Sequence, residues 1–561
     1  MMVRRSFLKA SAAALIGSAE EFASARTELA CDVAVIGGGV GGVAAALAAA
    51  RNGMRVILTE ETDWIGGQLT SQAVPPDEHR WIEHHGATRT YREYRNAVRT
   101  YYREHYPVTS EALSNPYLNP GNGSVSALTH EPRVSVAVLE SMLEPFVHRQ
   151  SLTILLHHIP VAAELTRPDR IDAIMTKDVR TGDRASIAAK YFIDATETGE
   201  LLPVTKTEFV TGAESRAQTG ELHAAPEPQP DNVQSFTCCF ALDYLEGEDH
   251  TIEKPRDFTF WRDYVPNLTP LWTGKLLSWT CPNPQTLAPR ELFFDPRPKA
   301  PARPGLNLWV YRRILDPVNF APGRYRSAIT LVNWPQNDFW LGDLLQANQD
   351  ERRKLIDRAK QLSLSWLYWM QTEAPRGDGK VGWKGLRLRR DVVGTTDGLA
   401  KAPYIRESRR IEAEFTVLEQ HVGAAARKEM FPNVAEPEAE QFPDSVGVGY
   451  YRLDLHPSTG GNNYIDIASL RFQIPLGALI PKSMENLLAG SKNIGVTHIT
   501  NGCYRLHPVE WNVGEAAGAV AAQAIKTGRS PRAIRNSPGK LRDLQQSLVE
   551  QGFELSWPAD G

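Results

Sequence analysis

From Asp32 the chain shows a regular alternation of element types. Val33-Ala34-Val35-Ile36 is a short, continuous apolar run, the pattern of a strand buried on both faces. It leads into a run of glycines, Gly37 to Gly42 with Val40 among them. An alanine-rich stretch from Ala44 to Arg51 follows and predicts a helix, which Gly53 stops. Met54 to Leu58 predicts a second strand. Leu152 to Leu156, extended to Leu165, and Tyr191 to Ile193 read as further strands, and Asn486 to Ala489 as a late one. Between 216 and 470 the pattern changes. Alternating stretches such as Ser327 to Val332 predict strands, and Asp350 to Gln371 carries apolar residues at helical spacing. Val509 to Lys526 predicts a final helix, with Pro508 suited to its first turn and Gly528 to its stop. Its small residues, among them Gly514 and Gly518, predict close packing on the sheet.

The strand–glycine–helix unit has a chemical reading. Gly37, Gly39 and Gly42 stand in the G-x-G-x-x-G register. Gly37 allows a tight turn, Gly39 lets backbone approach a pyrophosphate, and Gly42 lets helix and strand pack closely. The helix start offers unpaired N–H groups to phosphate. Glu60, at the end of the second strand, suits ribose hydroxyls. Beyond it lies Gly66-Gly67-Gln68-Leu69-Thr70-Ser71. This resembles FAD enzymes of the glutathione-reductase-like kind, which carry a second Gly-Gly after the acid. Asp194-Ala195-Thr196 followed by Gly199, and Leu488-Ala489-Gly490, resemble later elements of the same class. The resemblance implies FAD as cofactor. It places Gly37, Gly39, Gly42, Glu60, Gly66, Gly67, Gln68, Ala195, Thr196 and Gly490 around FAD, with Val161 near the adenine. No second strand–G-x-G-x-x-G–helix unit is present, so a dedicated NAD(P)H domain is not expected.

Longer segments resemble one family, FAD-dependent oxidoreductases that also carry the label xanthan lyase. They include Asp63 to Gln72, Val74 to His79, Asn333 to Asp338, Pro403 to Arg410, Asp454 to Ser458 and Gly502 to Gly518. The implied fold is α/β: a glutathione-reductase-like FAD-binding Rossmann domain over 30–215 and 471–535. An α+β substrate domain is inserted at 216–470, and a tail covers 536–561. In such enzymes the final helix starts beside the flavin pyrimidine, which draws His507 and Arg505 to it, with His498 and Asn501 on the preceding loop. His456 would face them from the inserted domain. Removing a hydride from an alcohol or amine requires a base for the accompanying proton, a role suited to histidine. His507 or His456 is expected as that base, with Arg505 orienting or stabilising charge.

Composition narrows the rest. The 561 residues carry a formal charge of -4, so nucleic acid is not an expected partner. Five cysteines without C-x-x-C or Cys/His spacing imply neither a disulfide framework nor a metal site; adjacent Cys238 and Cys239 read as buried small hydrophobes. Nine tryptophans fall between Trp261 and Trp383; they suit core packing more than sugar-stacking surfaces. The pairs Arg389-Arg390 and Arg409-Arg410 suit either an anionic substrate or ion pairing. At the N-terminus, Arg4-Arg5-Ser6-Phe7-Leu8-Lys9, an apolar run and Ala23-Ser24-Ala25 resemble a twin-arginine signal over residues 1–25. Partners expected on this basis are the twin-arginine export machinery, a small-molecule substrate and an electron acceptor of unknown identity, in the periplasm or outside the cell. No stretch is apolar enough for a stable membrane anchor. The expected activity is oxidation of a small organic substrate, carbohydrate-related compounds among the candidates, by hydride transfer to FAD. Two other readings stand beside it: a flavin-dependent lyase or isomerase without net redox turnover, and a non-catalytic flavin-carrying envelope protein.

Overall fold

A computed structural model describes residues 26–297 and 305–558. The signal-like residues 1–25 lie outside them. The central sheet starts with β1 (Arg26–Ile36), longer than the apolar run alone suggests. After α1 (Val40–Arg51) the chain returns in β2 (Val56–Glu60), parallel to β1, and later in β3 (Leu152–Leu156), parallel to β2. The expected extension of β3 does not form. His157 adopts a left-handed conformation, breaks the strand and starts β4 (His158–Glu164) on another path. β4, β5 (Ala173–Asp178) and β6 (Arg184–Asp194) form an antiparallel meander.

β6 is shared by two neighbours. Its first half carries β5, while Phe192–Asp194 pairs in parallel with the strand Leu487–Ala489. Its whole length runs parallel to β1, from Arg26↔Arg184 to Ile36↔Asp194. The ends of β1, β2, β6 and Leu487–Ala489 therefore reach one edge of the sheet, carrying Gly37, Glu60, Ala195 and Gly490. That edge is where open parallel α/β sheets bind ligands.

A helix over His507–Thr527 has Pro508 in its first turn and left-handed Gly528 at its end. Its small residues face mainly α1 rather than the sheet: a Cβ on Gly514 would fall on the Gly41 carbonyl, and one on Gly518 on that of Ala45.

Between 216 and 470 lies a four-stranded antiparallel sheet, ordered Arg313–Leu315, Ile329–Val332, Phe240–Tyr244, Leu386–Leu388. The helix Gln349–Thr372 is capped by the Asn348 side chain. Strand alternation divides the sheet between two cores. Cys239, Ala241, Ile329 and Leu331 join the core of the central sheet, whereas Phe240, Leu242 and Val332 join a second core with Leu362 and Trp366. Of the nine tryptophans only Trp279 is not buried, so they are core. All five cysteines are buried and free.

Candidate functional site

A cavity of about 690 Å³ opens at the shared strand edge. Gly37, Gly39, Glu60, Gly67, Ala195 and Thr196 line it. Gly37 has φ +101° and the two glycine loops meet, Gly66 N–H donating to the Gly38 carbonyl at 2.7 Å. A Cβ on Gly67 would lie 2.8 Å from the Gly39 Cα. Glu60 is buried and lines the cavity; its Oε1 accepts from the Thr62 N–H (2.9 Å) and hydroxyl (2.7 Å). Burial, then neighbouring Glu61, pushes its carboxyl up to about 8.

Other residues singled out in the sequence stand behind the wall. A Cβ on Gly42 would meet the Gly37 carbonyl, and one on Gly41 the Gly490 carbonyl, so Gly42 and Gly490 serve close packing of α1. Gly66 shapes the second loop. Gln68 is buried; its amide donates to the Arg505 carbonyl (3.0 Å) and to Glu510. Val161 falls where the β4–β5 register slips from Pro160 to Ala162, and His158, Ile159 and Pro160 form the wall there instead.

None of the five expected catalytic residues lines this cavity. Four of them join one largely buried polar network beginning beside its wall residues Gln72 and Pro403, while His507 pairs instead with the Asp77 backbone. His498 and Asn501 lie on a short helix, His498–Tyr504, not on a loop, because the Thr497 hydroxyl caps its start. Arg505 follows, donating to the Tyr404 hydroxyl (3.0 Å) and Asp454 Oδ2 (3.1 Å). Asn501 donates to the Arg406 carbonyl (2.9 Å). His498 Nδ1 lies 2.9 Å from Glu407, which also receives Arg410. Burial raises the Glu407 carboxyl, but His498 and Arg410 outweigh it and hold it below its usual range.

The two candidate bases differ in their ring nitrogens. His507 Nδ1 accepts the Asp77 backbone N–H at 3.1 Å, so the neutral ring carries its proton on Nε2, which is buried without a partner. Burial lowers this imidazole to about 4. A ring that is neutral with its free nitrogen protonated is a hydrogen-bond donor, not a base. His456 is the reverse. Its Nδ1 lies 2.6 Å from Asp338 Oδ2, a short contact that suits Nδ1–H donating to a carboxylate. Nε2 lies 3.5 Å from Asp454 Oδ2, and the side chain is 20% exposed. Asp338 is fully buried and fixed by Arg406 (2.9 Å) and the Thr237 hydroxyl (2.5 Å).

Reading the sequence missed the oriented acid Asp338 and the buried group Glu197, Lys492 and Glu510. Glu510 sits inside the final helix, where an acid among small residues was the available signal. The arginine pairs are largely engaged: Arg389 with Asp243 and Asp391, Arg410 with Glu214 and Glu407, and Arg409 with the carbonyls of Thr198 and Leu345.

A mixed sheet whose parallel strand ends carry two touching glycine loops, a buried acid at the end of β2 and the start of α1 defines a dinucleotide-binding flavoprotein of the Rossmann type. Gly39 and Gly67 bring no side chains of their own into the cradle and let backbone approach a pyrophosphate, so these residues fit FAD. The chain belongs to the FAD dependent oxidoreductase family, whose match spans residues 32–548. It is an FAD-dependent oxidoreductase. No curated protein matches it. Among solved structures it is similar to a geranylgeranyl bacteriochlorophyll reductase-like protein from Thermoplasma acidophilum, at 10% identity and TM-score 0.30, covering 94% of this chain and 84% of that one. It is also similar to THI4 of Thermovibrio ammonificans, at 18% identity and TM-score 0.22, covering 38% and 76%. Adenylylsulfate reductase of Archaeoglobus fulgidus gives 18% and 0.23, covering 32% of each. Among the described residues no helix is long and apolar enough to cross a membrane.

Proposed function

We propose that this FAD-dependent oxidoreductase oxidises a small, hydroxyl-bearing organic substrate, carbohydrate-related in chemistry, with His456 as the general base. The observation that carries this reading is the Asp338–His456 pair. The ring is part-exposed and is oriented through Nδ1 by a buried carboxylate.

Bound FAD supplies the acceptor for a hydride. Glu60, the Gly37–Gly39 loop and Gly67 would hold its ribose and pyrophosphate, the wall at Ile159 and Pro160 with neighbouring Val161 its adenine, and Ala195 and Thr196 the path between. The protein's own part is proton chemistry. His456 Nε2 takes the substrate hydroxyl proton while Asp338 holds Nδ1–H in place. The nearby Asp454 carboxylate favours the resulting imidazolium, and His456 first and Arg505 next hold Asp454 well below the usual carboxylate range. His507 offers Nε2–H to a developing negative charge, and His498 and Asn501 fix Glu407 and the Arg406 backbone behind it.

Anaerobic flavin bleaching against a library of sugars, polyols and amines identifies the substrate; a library that never bleaches the flavin sinks the oxidase-type reading. With that substrate, His456→Ala should slow stopped-flow flavin reduction by about 10²–10⁴-fold with FAD still bound. Asp338→Asn should move the pH profile of the same step, because it removes the group that fixes the tautomer. Wild-type reduction rates across pH in both variants would refute the assignment. The signal-like residues 4–25 support export of the folded holoprotein by the twin-arginine route to the periplasm, where the substrate and an electron acceptor would be met. Replacing Arg4 and Arg5 with lysine should strand the protein in the cytoplasm, and a wild type found wholly in the cytoplasm by fractionation would refute export.

A further inference from the structure

A carboxylate occupies the place where FAD's phosphates are expected. Glu197 Oε1 projects between the two glycine loops, 2.7 Å from where a Cβ on Gly39 would stand and 2.6 Å from one on Gly67. That oxygen is buried and has no hydrogen-bond partner. Its other oxygen lies 2.5 Å from the Lys492 ammonium, whose side chain is wholly buried. Lys492 also faces Glu510 at 3.3 Å. One ammonium thus serves two carboxylates, leaving an excess negative charge in the cradle before any phosphate arrives.

The geometry points to Glu197 as a proton-linked occupant of this cradle: it takes one proton from solvent as the pyrophosphate enters, which leaves the Lys492 charge for the phosphates. This rests on the FAD site described above.

The choice between the two acids follows from their partners. Glu510 uses both oxygens on donors. Oε1 accepts from the Gly41 N–H (3.3 Å) and Ser491 hydroxyl (2.9 Å), and Oε2 from Gln68 and Lys492. No oxygen remains to carry a proton. Glu197 has an oxygen free and aimed at the ligand space. The acids facing it reinforce the effect, while Lys492 and the Gln72 amide oppose it. Glu60 and Glu61 approach from the end of β2, Glu510 from the final helix and Gln72 from the second loop, with Lys492 the facing cation. Arg352, across the cavity, pairs with Glu200 instead (3.4 Å). Burial in this mainly acidic surround raises the Glu197 carboxyl above its ordinary range. Bringing phosphate charge beside an ionised, poorly solvated carboxylate is unfavourable, and one proton removes the conflict.

The test uses the full-length holoenzyme. Equilibrium dialysis from pH 6 to pH 9, with released FAD read by fluorescence, should show Kd rising roughly tenfold per pH unit once Glu197 ionises in the flavin-free protein. Glu197→Gln should reduce that slope by one proton and bind FAD more tightly at pH 9. Rebinding FAD by calorimetry in two buffers of different ionisation enthalpy counts the proton directly, with about one taken up by the wild type and none through this site in the variant. A wild type that takes up no proton overturns the proposal whether or not the variant folds. So does a Glu197→Gln or Glu197→Ala protein that takes up as many protons as the wild type. Absence of FAD binding at every pH would instead overturn the cofactor site itself.

Discussion

At the residue scale, hydrogen-bond direction decides role. His507 and His456 are the same side chain, yet one accepts a backbone N–H and the other donates to a carboxylate. The first is fixed as a neutral donor, and the second is oriented by its carboxylate for the role of base proposed above. The pH dependence of stability follows for His507. Its imidazole is lowered from 6.5 to about 4 by burial. In that interval the unfolded chain binds the proton and the folded one does not. The stabilising effect is therefore complete above pH 6.5 and is lost as pH falls towards 4, amounting to about 3 kcal/mol at the acid end. His507→Gln should flatten the acid limb of Tm against pH between 6.5 and 4, measured by thermal denaturation. An unchanged acid limb would show that the ring is charged or solvated in the folded protein.

At the element scale, the contact between α1 and the final helix sets the geometry of the pyrophosphate turn. The glycines there differ in what a side chain would meet. A Cβ on Gly39 meets first the carboxylate end of the Glu197 side chain rather than backbone, at an ordinary helix-start φ of −63°. A Cβ on Gly514 meets the Gly41 backbone, which cannot move without shifting the turn itself. Gly39→Ala should fold with near wild-type circular dichroism and lose most of its bound FAD. Gly514→Val should lose several kcal/mol of stability through overpacking or fail to accumulate as folded protein. A yellow, stable Gly514→Val protein would show that the helices are not held at this contact.

At the scale of the whole molecule, the four-stranded sheet joins two cores, because successive residues of one strand, Phe240 and Ala241, belong to different ones. Unfolding either core removes one face of that sheet. Trp366 is fully buried in the second core and stacks on Trp369 with centroids 5.0 Å apart. Trp366→Ala should cost about 3–5 kcal/mol and lower the protein's melting temperature and that of flavin release together, followed by tryptophan and flavin fluorescence in one scan. Separate transitions would mean that the two cores unfold independently.

The amino-acid sequence by itself determined the local features. The buried strand Val33–Ile36, the glycine turn, Glu60 at the end of β2 and the final helix between Pro508 and Gly528 are set by short-range sterics and periodicity. Such signals survive in a linear reading. The early residues of the cavity were legible for the same reason. Tertiary structure alone decided the rest. The break at His157 is a left-handed residue no periodicity announces. The pairing of Asp338 with His456 spans 118 positions, and that of Lys492 with Glu197 spans 295. Which acid faces a phosphate and which nitrogen of a histidine carries its proton depend on partners brought together by the sheet crossovers. Charge and hydrogen-bond direction act through space over a few ångströms, and sequence separation carries no record of that distance.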